Sequence, residues 1–76
     1  MTRLPRLTAD RLVKALRKAG FREAHVKGSH ALYVHRDDST RAATVPMHKG
    51  KTMKLGTLRA ILRQTGLTVE ELLQLL

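Results

Sequence analysis

Early in the chain the apolar positions fall at helical spacing: Leu12, Val13, Leu16 and Ala19 recur three and four apart, interleaved with Arg11, Lys14, Arg17 and Lys18. Thr8 is a suitable N-cap, Asp10 suits the first turn, and Gly20 supplies a stop. Leu7 before the cap and Leu12 at the fourth helical position have the spacing of a hydrophobic staple, which fixes the entry angle of the helix. From Phe21 the pattern becomes extended. Ala24-His25-Val26 and Ala31-Leu32-Tyr33-Val34, separated by Gly28-Ser29, read as a hairpin. Asp37-Asp38-Ser39-Thr40 is a second polar turn, and Ala42-Ala43-Thr44-Val45 is a third strand that Pro46 ends or places on an edge. A loop over residues 47–54 leads into a helix from Leu55 to Thr65. That helix carries Leu58, Ile61 and Leu62 on one face, Arg59 and Arg63 on the other, and Gly66 at its end. Thr68-Val69-Glu70-Glu71 has the capping-box pattern, with Leu67 and Leu72 placed as a second staple, and opens a short helix too apolar to stand alone.

This order predicts an α+β fold: α-β-β-β-α(-α), a three-stranded antiparallel sheet with helices packed on one face, of the double-stranded-RNA-binding type. The second strand is apolar on both parities. Tyr33 is the larger anchor, so Ala31 and Tyr33 are assigned to the core, leaving His30, Leu32 and Val34 on the open face. An exposed patch of that kind suits a protein partner; a strand covered on both sides is the alternative.

Length makes this one domain, residues 1–76, with a thin core, because a chain this short buries only about 60% of its unfolded surface. The absence of cysteine excludes disulfides and thiolate zinc sites. No apolar run approaches the roughly 20 residues of a membrane helix, and residues 1–6 lack a signal-peptide stretch, so a cytoplasmic protein is expected. Charge adds the first functional pointer. The net charge of +9 comes from 15 Lys and Arg against 6 Asp and Glu. Residues 1–27 carry 8 positive and 2 negative charges and residues 28–66 carry 7 and 2, whereas the last ten carry only Glu70 and Glu71. A basic excess spread through a small folded body points to a polyanion partner such as nucleic acid. The outer face of the first helix suits solubility and backbone-phosphate contact equally.

Candidate chemistry is sparse. His30 and His35 fall on opposite faces of one strand, so the four histidines do not make a metal site; His25 and His35 read as ordinary strand residues. Paired carboxylates are missing, since Asp37-Asp38 sit in a turn and Glu70-Glu71 in a cap. Gly50-Lys51-Thr52 lacks the upstream glycine and strand of a phosphate-binding loop. What remains is Lys27-Gly28-Ser29-His30, an imidazole delivered by a tight turn among cations. RNA is a substrate for which that suffices, because its own 2′-OH attacks the adjacent phosphate once a general base takes the proton. His30 is therefore the candidate base, Lys27, Lys49, Lys51 and Lys54 are phosphate-binding candidates, and His48 is a possible second acid or RNA contact. Gly56 and Thr57, in the first turn of the Leu55 helix, offer backbone N–H groups close to Lys51 and Lys54 as a phosphate seat. With Phe21 and Tyr33 the only aromatics, a base-stacking surface is not supported, and affinity should rest on phosphate contacts.

The runs Gly20-Phe21, Val26-Lys27-Gly28-Ser29-His30, Val45-Pro46-Met47-His48 and Gly56 to Leu67 together resemble the HicA (YcfA-like) toxins of type II toxin–antitoxin systems, over residues 8 to 72. The resemblance implies a double-stranded-RNA-binding-like fold and a ribosome-independent, metal-independent mRNA interferase without cofactors, neutralised by a HicB-type antitoxin. It places the family's catalytic histidine, in its Gly-Ser-His motif, at His30, and matches Val45 to His48 and Gly56 to Arg59 to further family segments; Lys27, Gly28, Ser29, His48, Lys49, Lys51 and Lys54 are the expected RNA-binding residues. The free toxin is expected to be a monomer. The rival reading is a non-catalytic RNA-binding module on the same fold.

Overall fold

The structure, a computed structural model, describes residues 3–76. Met1 and Thr2, the start of the stretch read above for an export signal, lie outside the described residues. The element order is α1 (Ala9–Lys18), β1 (Phe21–Lys27), β2 (His30–His35), β3 (Ala42–Pro46), α2 (Leu55–Thr65) and α3 (Val69–Leu75). The strands form one antiparallel sheet in the order β1-β2-β3, leaving β1 and β3 as edges. This is the α-β-β-β-α-α arrangement expected from the sequence.

The core lies between the helices and one face of the sheet. Leu12, Leu16, Leu58, Ile61 and Leu72 from the helices meet Phe21, Ala31, Tyr33, Ala43 and Val45 from the strands, all essentially inaccessible to solvent. Ala31 and Tyr33 are buried while His30 is exposed and Leu32 and Val34 are partly covered, as the larger-anchor argument required. Leu7 and Leu12 are both buried, so the staple into α1 is in place. Thr8 occupies the N-cap but its side chain makes no capping bond. Its segment is instead held by a short antiparallel bridge from Thr8 to Thr52 and by the Met53 N–H donating to the Leu7 carbonyl at 2.7 Å. The stretches leading into α1 and α2 are thereby tied side by side. Gly66, at φ +76°, ends α2 in the left-handed conformation, its N–H donating to the Leu62 carbonyl at 2.9 Å. Arg41, between β2 and β3, donates from Nε to the Thr65 carbonyl at 2.7 Å and lies over the Phe21 ring at 5.4 Å. That guanidinium ties the sheet to the carbonyl end of α2, where a cation is favoured. Among the described residues, no helix is long and apolar enough to cross a membrane.

Candidate active site at the hairpin tip

Two residues, Gly28 and Ser29, connect β1 to β2, and Lys27 pairs with His30 across them. Gly28 has φ +59° whereas none of the described non-glycine residues has positive φ, so the turn has the type II′ pattern, with glycine at its first central position. A Cβ on Gly28 would meet nothing within 4 Å; the glycine is needed for its backbone conformation, not for space. Such a turn follows the natural twist of the strands and fixes the register, so Lys27 and His30 are directly opposite neighbours on one face. The tip also overhangs the core. Val26, opposite buried Ala31, is itself 52% exposed, because the helices do not reach under the end of β1.

His30 therefore starts a strand anchored by buried Ala31 and Tyr33 while its own ring is exposed, and among the described residues it has no hydrogen-bond partner. His35, at the other end of the same strand, differs in every respect. Its Nδ1 accepts the Asp37 N–H at 3.1 Å, which leaves Nε2 to carry the proton and donate to the Ala19 carbonyl at 3.1 Å. Its ring meets Phe21 edge-on at 5.0 Å. His35 is a structural histidine. Behind the sheet, the Tyr33 hydroxyl donates to Glu23 at 3.4 Å; burial, then the Glu23 charge, pushes its pKa up, so it stays a neutral phenol.

The sequence-derived phosphate-binding residues separate into groups. Lys27 stands opposite His30. Ser29 accepts the Met47 N–H on its carbonyl at 2.6 Å, which pins the segment after β3 to the tip, and Pro46 pairs with His30. Pro46 also walls a shallow recess lined by His48, Lys51, Lys54 and Thr57, so these four are brought together at the start of α2, next to the hairpin tip. Among the described residues no side chain caps α2 at Lys54, and none bonds its first-turn N–H groups. Lys49 lies elsewhere, in a separate dip beside Ala9, Asp10 and Met47. No three His, Asp or Glu side chains among the described residues converge as metal ligands would.

One feature was not read from the sequence. β1 carries a bulge: Glu23 pairs with Tyr33 and His25 with Leu32, so Ala24 is an extra residue and the facing of every later side chain in β1 is reversed. His25 thus shares the open face with Leu32 and His30. The available signal was a parity switch, with Phe21 and Val26 both apolar but an odd number of residues apart, which an unbroken strand cannot place on one face.

Compared with curated proteins, the chain finds no match. The sequence profile of one family, described as the HicA toxin of bacterial toxin–antitoxin, matches residues 9–67, from the start of α1 through the turn after α2. That span covers most of the 76 residues and includes the whole sheet, the hairpin tip and the recess beside it. The chain belongs to the HicA toxin family of bacterial toxin–antitoxin systems, and is the toxin component of such a pair.

Proposed function

We propose that this toxin is a ribosome-independent, metal-independent mRNA interferase in which His30 is the general base. The observation that carries the reading is His30 itself: its ring is exposed and has no hydrogen-bond partner among the described residues, and a two-residue turn sets it directly opposite Lys27 in the strand register. His30 takes the proton of an RNA 2′-OH, the O2′ attacks the adjacent phosphorus, and the bond from phosphorus to O5′ breaks. The products are a 2′,3′-cyclic phosphate and a 5′-hydroxyl. Lys27 balances the charge that builds on the phosphate, and the recess cations Lys51 and Lys54, with His48, hold the flanking backbone. Lys49, set apart beside Asp10, makes a more distant contact. A HicB-type antitoxin silences the toxin, and the partly covered Leu32 and Val34 on the open face are the apolar positions available to it.

The test is incubation of a structured RNA in EDTA with wild type and His30→Ala, followed by end-group analysis. Cleavage by wild type alone, with cyclic phosphate and 5′-hydroxyl ends, is expected, with a loss in the variant of about 10²- to 10⁴-fold or more. RNA bound equally by both proteins and left intact would make the protein a non-catalytic RNA-binding module.

A further inference from the structure

Cleavage by the 2′-OH needs two proton transfers, one from the attacking O2′ and one to the departing O5′, and His30 accounts for only the first. We infer that His25 is the general acid, brought onto the catalytic face by the bulge at Ala24; this rests on the ribonuclease reading of His30.

The sheet registers give the open face as a lattice. Lys27, His30 and Pro46 form the row at the tip, His25, Leu32 and Thr44 the next, and Arg22, Val34 and Ala42 the third. Without the bulge, His25 would share the parity of Phe21 and Glu23 and point toward the helices. With it, His25 sits diagonally across the strand pair from His30, and Lys27 is the direct neighbour of both. Diagonal positions of an antiparallel pair lie about 7–8 Å apart, within reach of long side chains. That spacing suits the reaction. The entering and leaving oxygens of an in-line displacement stand on opposite sides of phosphorus, and each must lie within about 2.6–3.2 Å of its own imidazole. A phosphate over the middle of that diagonal, beside Lys27, has one ring on each side.

The electrostatics of the face agree. None of its nine register positions carries a carboxylate, whereas Arg22 and Lys27 are cations, so the face attracts a phosphodiester. His25 is exposed and, unlike His35, has no hydrogen-bond partner among the described residues. His48, the alternative donor, lines the recess with Lys51 and Lys54 and stands on a loop beyond Pro46, not on the sheet.

In the step, the imidazolium of His25 gives its proton to O5′ as that bond to phosphorus breaks, while neutral His30 accepts the O2′ proton as the new bond forms. The two rings exchange protonation states and no other reactant is consumed. The test compares an RNA cut by wild type with the same RNA carrying sulfur in place of O5′ at the mapped site, since a thiolate leaves without protonation. His25→Ala, and His25→Gln as the variant that keeps a polar side chain, should cut the oxygen linkage about 100-fold or more slowly yet cut the sulfur linkage within a few-fold of wild type. His30→Ala should fail on both. Equal impairment of the His25 variants on both linkages, undiminished cleavage of the oxygen linkage, or leaving-group rescue in His48→Ala instead would each overturn the assignment while leaving the ribonuclease reading intact. A wild type that cuts neither RNA would overturn that reading, and this one with it.

Discussion

One strand, β2, begins and ends on a histidine, and the five-residue offset between them sends the rings to opposite faces. His35 has both nitrogens engaged and an aromatic contact, whereas His30 has neither among the described residues. His35→Ala should therefore destabilise the fold by about 2 kcal/mol, from the lost ring packing and from leaving the Ala19 carbonyl and Asp37 N–H without partners. His30→Ala should stay within about 0.5 kcal/mol of wild type. Urea unfolding of both variants checks this; a His30 variant as unstable as the His35 one would make the tip histidine structural. The contrast explains why a histidine in a strand pattern is ambiguous from sequence: composition and spacing show the face it occupies, but not whether a carbonyl waits there. For His35 the carbonyl belongs to Ala19, 16 residues away, at the end of another element.

At the scale of elements, the helix boundaries were legible because punctuation and periodicity agree. Gly66 stops α2, staples open α1 and α3, and the capping box at α3 forms in full, with Thr68 Oγ1 accepting from the Glu71 N–H at 3.1 Å and Glu71 accepting from the Thr68 N–H at 3.0 Å. The bulge was not legible because one inserted residue leaves the strand's composition unchanged and alters only which face follows. Arg41 escaped for a related reason: its partner, the Thr65 carbonyl, is set by how the sheet docks on α2. The capping box makes its own prediction. The hydrogen bonds from Thr68 hold the Glu71 carboxyl below its ordinary value of 4.5. The charged form is the one the fold favours, so its contribution is complete above that value and is lost as pH falls through the lower folded one. The stability gap between wild type and Glu71→Gln should be widest above pH 4.5 and close below it. A gap independent of pH between neutrality and pH 3 would show that the carboxylate's charge plays no part in the cap.

At the scale of the molecule, the +9 charge is not one undifferentiated surface. Some cations are committed to the fold: Arg41 to the end of α2, Arg17 over the Tyr33 ring at 5.7 Å, and Lys18 to the Leu75 carbonyl at 3.1 Å. Others, Lys27 at the tip and Lys51 and Lys54 in the recess, make no such contact among the described residues and border the proposed site. The two classes separate in the salt dependence of RNA binding, because each phosphate contact releases condensed counterions and steepens the fall of affinity with salt. In a His30→Ala background, where RNA stays intact, Lys27→Ala should weaken binding to unrelated single-stranded RNAs by similar factors. It should also reduce the slope of log affinity against log salt by about 0.7. Arg41→Ala should leave that slope unchanged while lowering stability by about 1–2 kcal/mol, since its guanidinium is spent on a carbonyl and a ring inside the protein. If both substitutions changed the slope equally, RNA would be held by the net charge of the whole body and the hairpin tip would have no privileged place in binding. A change confined to Lys27 would locate the phosphate beside His30, where the proposed chemistry needs it.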